Sequence, residues 1–386
     1  MRNRIYLDHA ATTAVSPEVL EAMLPFFSES FGNPSGVYAT GREAHRAVDR
    51  ARRQAAEAIG ALPQEIYFTS GGSESDSWAL TGAAFAGRAR GNHLITSSVE
   101  HHAVLHTCRW LEKQGFQVTY LPVDSFGRVD PEELERAIRP ETILISVMAA
   151  NNEIGTLEPA EQIGGIARAH GIPFHTDAVQ AMGVLPVDVN AWKADMLSLS
   201  AHKFHGPKGV GLLYVRKGIR LDSLIHGGAQ ERGMRAGTEN VPGIAGMGKA
   251  MELAAAGIPE RAEKLRKLRD RLIRGLREAV PGIRLNGHPT ERLPGCAHFS
   301  IPGADGEAAL LRMDLDGIAV SGGSACTSGS TEPSHVLRAI GLEPELAKGG
   351  LRFTLGEENT EEEIDEALRV LPAIVKDLRG EYQPVH

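Results

Sequence analysis

At 386 residues the chain is too long for one small core, which predicts two domains, and its formal charge of −8 argues against direct nucleic-acid binding. No apolar run is long enough to span a bilayer, and the stretch from Met1 to Asp8 lacks the apolar centre of a signal peptide. Three cysteines, Cys108, Cys296 and Cys326, are too few for a disulfide framework, so a reducing, cytoplasmic setting with at least one free thiol is expected.

In chain order, a short apolar stretch at 5–7 ends in the polar pair Asp8-His9. Ser16-Pro17-Glu18 opens a helix, with an N-cap followed by proline at the first position. Residues 31–35 form a loop, and 41–59 carry helical apolar spacing at Ala44, Ala47, Val48, Ala51, Ala55 and Ile59. Strand and helix then alternate. Strands are expected at 66–69, 93–96, 117–121, 142–147, 172–176, 196–199 and 210–215, with helices beginning near Gly72, His101, Pro131 and Pro159. This predicts an α/β fold with a parallel or mixed sheet of about seven strands between helices, and a ligand at the carboxyl ends of the strands. The polar clusters agree: Ser70–Ser75, Glu100-His101, Asn151-Asn152-Glu153, Asp177–Gln180 and Ser200–Lys203 each follow a strand.

Past Val241-Pro242-Gly243 the pattern changes. Residues 260–278 read as one amphipathic helix with Leu265, Leu268, Leu272, Ile273 and Leu276 on its apolar stripe and eight basic residues on a solvated face. Short strands near 297–301, 318–320 and 351–355 and a helix at 306–315 follow. A last helix starts at Thr360-Glu361-Glu362-Glu363, a capping-box pattern, with Ile364, Leu368, Leu371 and Val375 on its stripe. The expected division is a large domain over 13–254 and a smaller α+β domain made of 1–12 and 255–386.

Several of these residues carry chemistry. Lys203, just past a buried strand, is either a surface lysine or a desolvated amine able to attack a carbonyl. Gly71-Gly72-Ser73 is either a plain turn or a phosphate cradle at a helix N-terminus, with Ser73 adding a hydroxyl; no Gly-Lys-Ser/Thr follows, so it is not a nucleotide P-loop. Asp177 at a strand end is either a cap or the partner of a protonated ring nitrogen, and Gln180 is within reach of the same place. An aspartate and a lysine on neighbouring strand ends beside a phosphate cradle are what pyridoxal phosphate requires. The pairs His102/His106 and His202/His205 could chelate a metal, but acid–base or stacking work for one histidine is preferred and no metal is expected. Cys326 lies in the small, polar run 321–330, a composition that predicts an exposed, mobile segment and a reactive thiol. Arg352, among apolar residues, is expected to face an anion.

Taken together, Tyr6–Thr13, Phe31–Ser35, Asn151–Gly155, Phe174–Gln180, Ser198–Gly211, Gly237–Asn240 and Ser324–Ser330 closely resemble the cysteine desulfurases of the NifS/IscS type, pyridoxal-phosphate enzymes of fold type I. The resemblance implies that Lys203 holds the cofactor aldehyde as a Schiff base, that Asp177 pairs with the pyridine nitrogen, and that Gln180 meets the ring hydroxyl. His101 would stack on the ring and move protons. Gly72, Ser73, Ser200 and His202 would hold the phosphate, and Thr238 would reach that of the partner subunit in a homodimer. Asn152, Arg352 and Asn33 would bind the substrate, L-cysteine. Cys326 would attack its sulfur and pass it to acceptor proteins such as an iron–sulfur scaffold. Ser73 stands where many members have threonine, Ser75-Asp76-Ser77 replaces a common Ser-Asn-Asn, and Tyr38 stands near a frequent histidine. The rival readings are a selenocysteine lyase, a sulfur-assembly scaffold with weak catalysis, and an aminotransferase of the same fold.

Overall fold

A computed structural model describes residues 4–322 and 334–380. Ile5–Tyr6 forms a short strand, β1, and Ser16 caps the helix Pro17–Met23 by accepting from the Val19 amide, as its sequence predicts. The helix Ala39–Ala58 buries the expected alanine face. The central sheet follows: β2 (Ile66–Thr69), β3 (His93–Ser97), β4 (Gln117–Leu121), β5 (Thr142–Ser146), β6 (Phe174–Asp177), β7 (Met196–Ser200) and β8 (Gly211–Val215). Their order is β2-β8-β7-β6-β5-β3-β4. The five strands from β4 to β7 run parallel, and β8 is antiparallel to both β7 and β2.

The two reversals place the function-bearing ends together. β8 opposes β7 and β2 opposes β8, so β2 points the same way as the parallel strands. Thr69 lies opposite Gly211, Gly211 opposite Ser200, and Asp177 beside Ser198. Ser70–Gly72, Asp177 and Ser200–Lys203 therefore leave the sheet at one edge, where open α/β sheets bind ligands. Gly211 is needed at this crossing, because a Cβ there would lie 2.5 Å from the Gly71 Cα.

A second layer carries β9 (Arg284–Asn286), β10 (Cys296–Ser300), β11 (Ile318–Ala319) and β12 (Gly350–Thr354). β12, β10 and β9 form a three-stranded antiparallel sheet, and β1 pairs in parallel with β11, Ile5 against Ile318. Leu7 is buried in the same cluster as Leu265, Leu272, Phe299, Phe353, Ile364 and Leu371. The helix Glu361–Leu378 has its capping box, Thr360 with Glu363.

Two elements differ from the sequence expectation. Val241-Pro242-Gly243, past which the sequence pattern changes, starts a helix that the sequence reading did not place, Val241–Ala255, capped by the Asn240 carboxamide. Its buried face takes in Gly243, Gly246 and Ala250 beside Ile244, Met247 and Met251, wider than an amphipathic stripe and rich in small residues, so no clear apolar period announces it. In the helix Ile258–Ala279 the basic residues are not all solvated. Arg269 is buried and donates to the Leu293 carbonyl, and Arg261 donates to the carbonyls of Gly183 and Ala254. Ile273 is only half-buried, at the edge of the predicted stripe.

Candidate active site

Lys203 closes a single 3-10 turn, Ala201–Lys203, that β7 runs into directly. Its ammonium donates to the carbonyl oxygens of Ala10 (2.5 Å) and Ala11 (2.9 Å), and Gln180 Nε2 donates to the same Ala10 oxygen (3.1 Å). The Thr13 amide and hydroxyl both donate to the His202 carbonyl, and the Thr12 hydroxyl meets His202 Nδ1 at 3.1 Å. Residues 10–13 thus lie across the Lys203 turn, and the amine is a half-buried interior group rather than a surface lysine. Burial, together with repulsion from Lys203 and Lys208, pushes the His202 imidazole down to about 4. At neutral pH His202 is a hydrogen-bonding group and not a cation.

Asp177 ends β6 and is buried, with Oδ1 accepting from the Val179 amide at 2.9 Å. Burial raises its carboxyl, while His101, the Val179 amide and Lys203 pull it back down. His101 is the N-cap of the helix His102–Lys113, and its Nδ1 accepts from the Ala103 amide. Donor atoms of His101, Asp177 and Asp76 all lie within 4.8 Å of one another, a spacing open to a metal ion. The two histidine pairs read from sequence form no such group among the described residues. His102 stacks on His106, with ring centroids 5.1 Å apart.

The phosphate end is built from β2 and the helix Gly72–Gly87. Its N-cap is Gly71, which has no side chain to satisfy the first-turn amides. Ser73 is exposed in that first turn, and Ser200 is buried behind it. Gly72 has no room for a side chain, since a Cβ would meet Val179 Cγ2 at 2.9 Å. A cavity of about 220 Å³ opens beside it, lined by Thr69, Ser70, Gly209, Arg235 and Thr238 among others. Arg235 forks Glu74 at 2.8 and 3.1 Å, and Arg52 forks the buried Glu231 through two contacts of 2.8 Å. Burial would raise the Glu74 carboxyl, but the Arg235 fork and Ser70 hold it below its ordinary value. These two pairs fix the loop that carries the exposed Thr238.

Arg352, in β12, does face an anion, and that anion is internal. Its Nη2 donates to Asp8 Oδ1 at 2.8 Å and its Nη1 to the Asn152 carbonyl at 2.6 Å, while Nε is buried without a partner among the described residues. Asn33 is exposed, and its side-chain oxygen accepts from the Ser35 amide in its own turn. Cys326 lies outside the described residues. Cys108 and Cys296 are buried and free, as packing residues should be. Sequence reasoning missed the Ala10 and Ala11 carbonyls, Asp8 as the partner of Arg352, and Glu231. No periodic or compositional signal marks contacts across such separations.

Beneath the site, His175 is buried in β6 between the hydroxyls of Ser146 (2.8 Å) and Ser198 (2.9 Å). Burial pushes it down to about 3 from an ordinary 6.5, so its 3.6 Å approach to Asp76 is not an ion pair at neutral pH. The folded value lies below the unfolded one. The stability His175 contributes is therefore complete above about pH 6.5 and is lost as pH falls toward 3. Denaturation midpoints of the protein should drop across that window, and His175→Gln should remove about 3 kcal/mol of the loss between about pH 6.5 and 4. An unchanged slope in the variant would assign the acid sensitivity elsewhere.

The Aminotransferase class-V family matches residues 5–367. A cysteine desulfurase IscS of Methanosarcina thermophila is 58% identical over 376 residues, 97% of this chain and 93% of that protein. A cysteine desulfurase IscS of Clostridium botulinum (strain Hall) is 54% identical over 381 residues, 98% of this chain and 96% of that one. A solved NifS-like protein superposes with a TM-score of 0.92 at 41% identity, covering 97% of this chain and all of its own (100%). A structure of SspA in complex with cysteine gives a TM-score of 0.81 at 41% identity, covering 92% and 100%. The architecture is that of fold type I. With the match running almost end to end, the chain belongs to the class-V aminotransferase family.

Proposed function

We infer that the protein is a cysteine desulfurase, which takes sulfur from L-cysteine with pyridoxal phosphate and leaves L-alanine and a persulfide on Cys326. The observation that carries this is the convergence of three fittings for that cofactor at one sheet edge. They are the amine of Lys203 for its aldehyde, the buried Asp177 for its ring nitrogen, and the uncapped N-terminus at Gly72 for its phosphate. The relatives at 54–58% identity bear the same activity in their names.

When bound, the cofactor supplies an electron-withdrawing ring that stabilises negative charge at the substrate's α-carbon. Asp177 would keep the ring nitrogen protonated, and Gln180 would be within reach of the ring hydroxyl. Gly72, Ser73, Ser200 and neutral His202 would hold the phosphate by hydrogen bonds. His101 would lie against the ring and, with Lys203, would serve to move protons. The spare Nε of Arg352, with Asn152 and Asn33, receives the substrate carboxylate. The Cys326 thiolate then attacks the substrate sulfur. An S–S bond forms as the Cβ–S bond breaks, the electron pair stays with the carbon, and protonation there gives alanine. No external oxidant is required.

The assembly we propose is a homodimer. Leu20, Leu24, Phe27, Phe31, Val37 and Tyr38 are 47–86% exposed within one short segment, a density of apolar surface that marks an interface. Thr238, exposed beside the phosphate end, would then serve the partner subunit. The sulfur would go to acceptor proteins such as an iron–sulfur scaffold, in the cytoplasm. Among the described residues no helix is long and apolar enough to cross a membrane.

Cys326→Ala should keep the absorbance band of the bound cofactor and lose persulfide formation. A full persulfide yield in that variant would overturn the mechanism. Turnover of selenocysteine alone would move the reading to a lyase.

A further inference from the structure

Asp76 has no task in the chemistry above, yet it sits under the centre of the site. It is 1% exposed, one helical turn beyond Gly72, and its Oδ1 finds no hydrogen-bond partner among the described residues. From β7 the Ser198 hydroxyl bonds the carboxyl, and from β6 neutral His175 approaches to 3.6 Å. Asp177 and His101 lie within 4.8 Å, and buried Glu100, after β3, adds a third carboxyl to its surroundings. Lys203 is the cation on the Asp177 side.

Two carboxyls this close, both out of water, do not both ionise at neutral pH. The surroundings decide which one keeps the proton. Asp177 has an amide donor, His101 and Lys203 to favour its anion. Asp76 has one hydroxyl, a neutral imidazole and an orphaned oxygen; its burial and the nearby Asp177 carboxylate both oppose its charge. Glu100 is itself pushed up to about 8 by burial and accepts from Ser97 and Met148, so it adds no anion at neutral pH and no cation to offset one.

We propose that Asp76 is a positioning residue that stays protonated beside Asp177, so that the cofactor's ring nitrogen meets one carboxylate rather than two. The inference rests on the proposed function only for the identity of what Asp177 faces; the protonation of Asp76 is a property of this chain alone. An unpaired second charge at this distance would raise the ring's proton affinity by about two pH units.

The test uses the full chain loaded with pyridoxal phosphate. Difference infrared spectra at pH 7, with and without isotope-labelled aspartate, should show a protonated carboxylic-acid C=O band that Asp76→Asn removes. Asn, a neutral isostere, should leave the pH midpoint of the cofactor's absorbance within roughly half a unit of wild type. Asp76→Leu, which strands Ser198, should weaken cofactor affinity by about tenfold, and Asn should not. A packing role alone would lower the stability of the Leu variant and leave that affinity untouched. The proposal is overturned by the absence of the acid band in wild type, by its survival in the Asn variant, or by a midpoint shift of about two units with Asn. The wild-type spectrum decides the matter even if the variants do not fold. If no cofactor band forms in wild type, the functional reading fails while the infrared result still tests Asp76.

Discussion

Lys203→Ala eliminates the visible band of the cofactor-loaded protein and lowers sulfide release from L-cysteine by about 10³-fold or more. That is the scale of losing a positioned proton-transfer group together with a covalent anchor. The argument is geometric. The Lys203 turn is fixed by β7 on one side and by residues 10–13 on the other, so the amine has one place to be. Among the described residues no other lysine lines the cavity of about 340 Å³ that this amine borders. The measurement is an absorbance spectrum and a sulfide assay on the same preparation. A variant that retains the band and falls by less than tenfold would show that another group carries the cofactor.

Arg352→Ala is expected to act on substrate binding and on stability together. The KM for L-cysteine should rise by about 10²-fold, because a charge-assisted bond to the carboxylate is worth about 1.5–3 kcal/mol. The fold should lose about 3–5 kcal/mol, since removal of one partner strands the charge of Asp8, whose side chain is 15% exposed. Arg352→Lys keeps the charge but not the fork, so it should recover part of the stability and little of the KM. The informative comparison is Asp8→Asn. It should lower stability less than Arg352→Ala and leave the spare Nε for substrate, so its KM should stay near wild type. If Asp8→Asn raises KM as far as Arg352→Ala does, the ion pair orients Arg352 and the Nε assignment loses its support.

Legibility in the sequence followed the range of the contacts involved. The seven strands of the sheet are short apolar runs bounded by polar clusters, so both their positions and the edge they serve could be read. Thr360 with Glu363 and Ser16 with Val19 could be read because capping joins residues three apart. The helix Val241–Ala255 could not, because its broad buried face is lined largely by glycine and alanine, which blurs the apolar period that marks a helix. Arg352 was identified as an arginine facing an anion, but the identity of the anion depended on a chain crossing of 344 residues. Asp76 was visible only as a departure from a familiar Ser-Asn-Asn, and its burial against Asp177 needed the third dimension. Arg269 and Arg261 were placed in water because charge on an amphipathic helix usually is; their carbonyl partners lie in other elements.

The path of residues 5–13 has a consequence for how the protein is made. Ile5 pairs with Ile318, Leu7 accepts from the Thr354 amide, Asp8 meets Arg352, and Thr13 holds the turn at His202. Residues 5–13 thus find most of their partners only when residues 318–354 emerge. At about 5–20 residues per second, the wait from residue 13 to residue 354 is roughly 20 to 70 s. During that time the ceiling over Lys203 has no anchor on its far side. The wall that residues 5–13 form over Lys203 is then completed late in biosynthesis, and the nascent chain must keep Leu7 from misplaced partners until its own arrive.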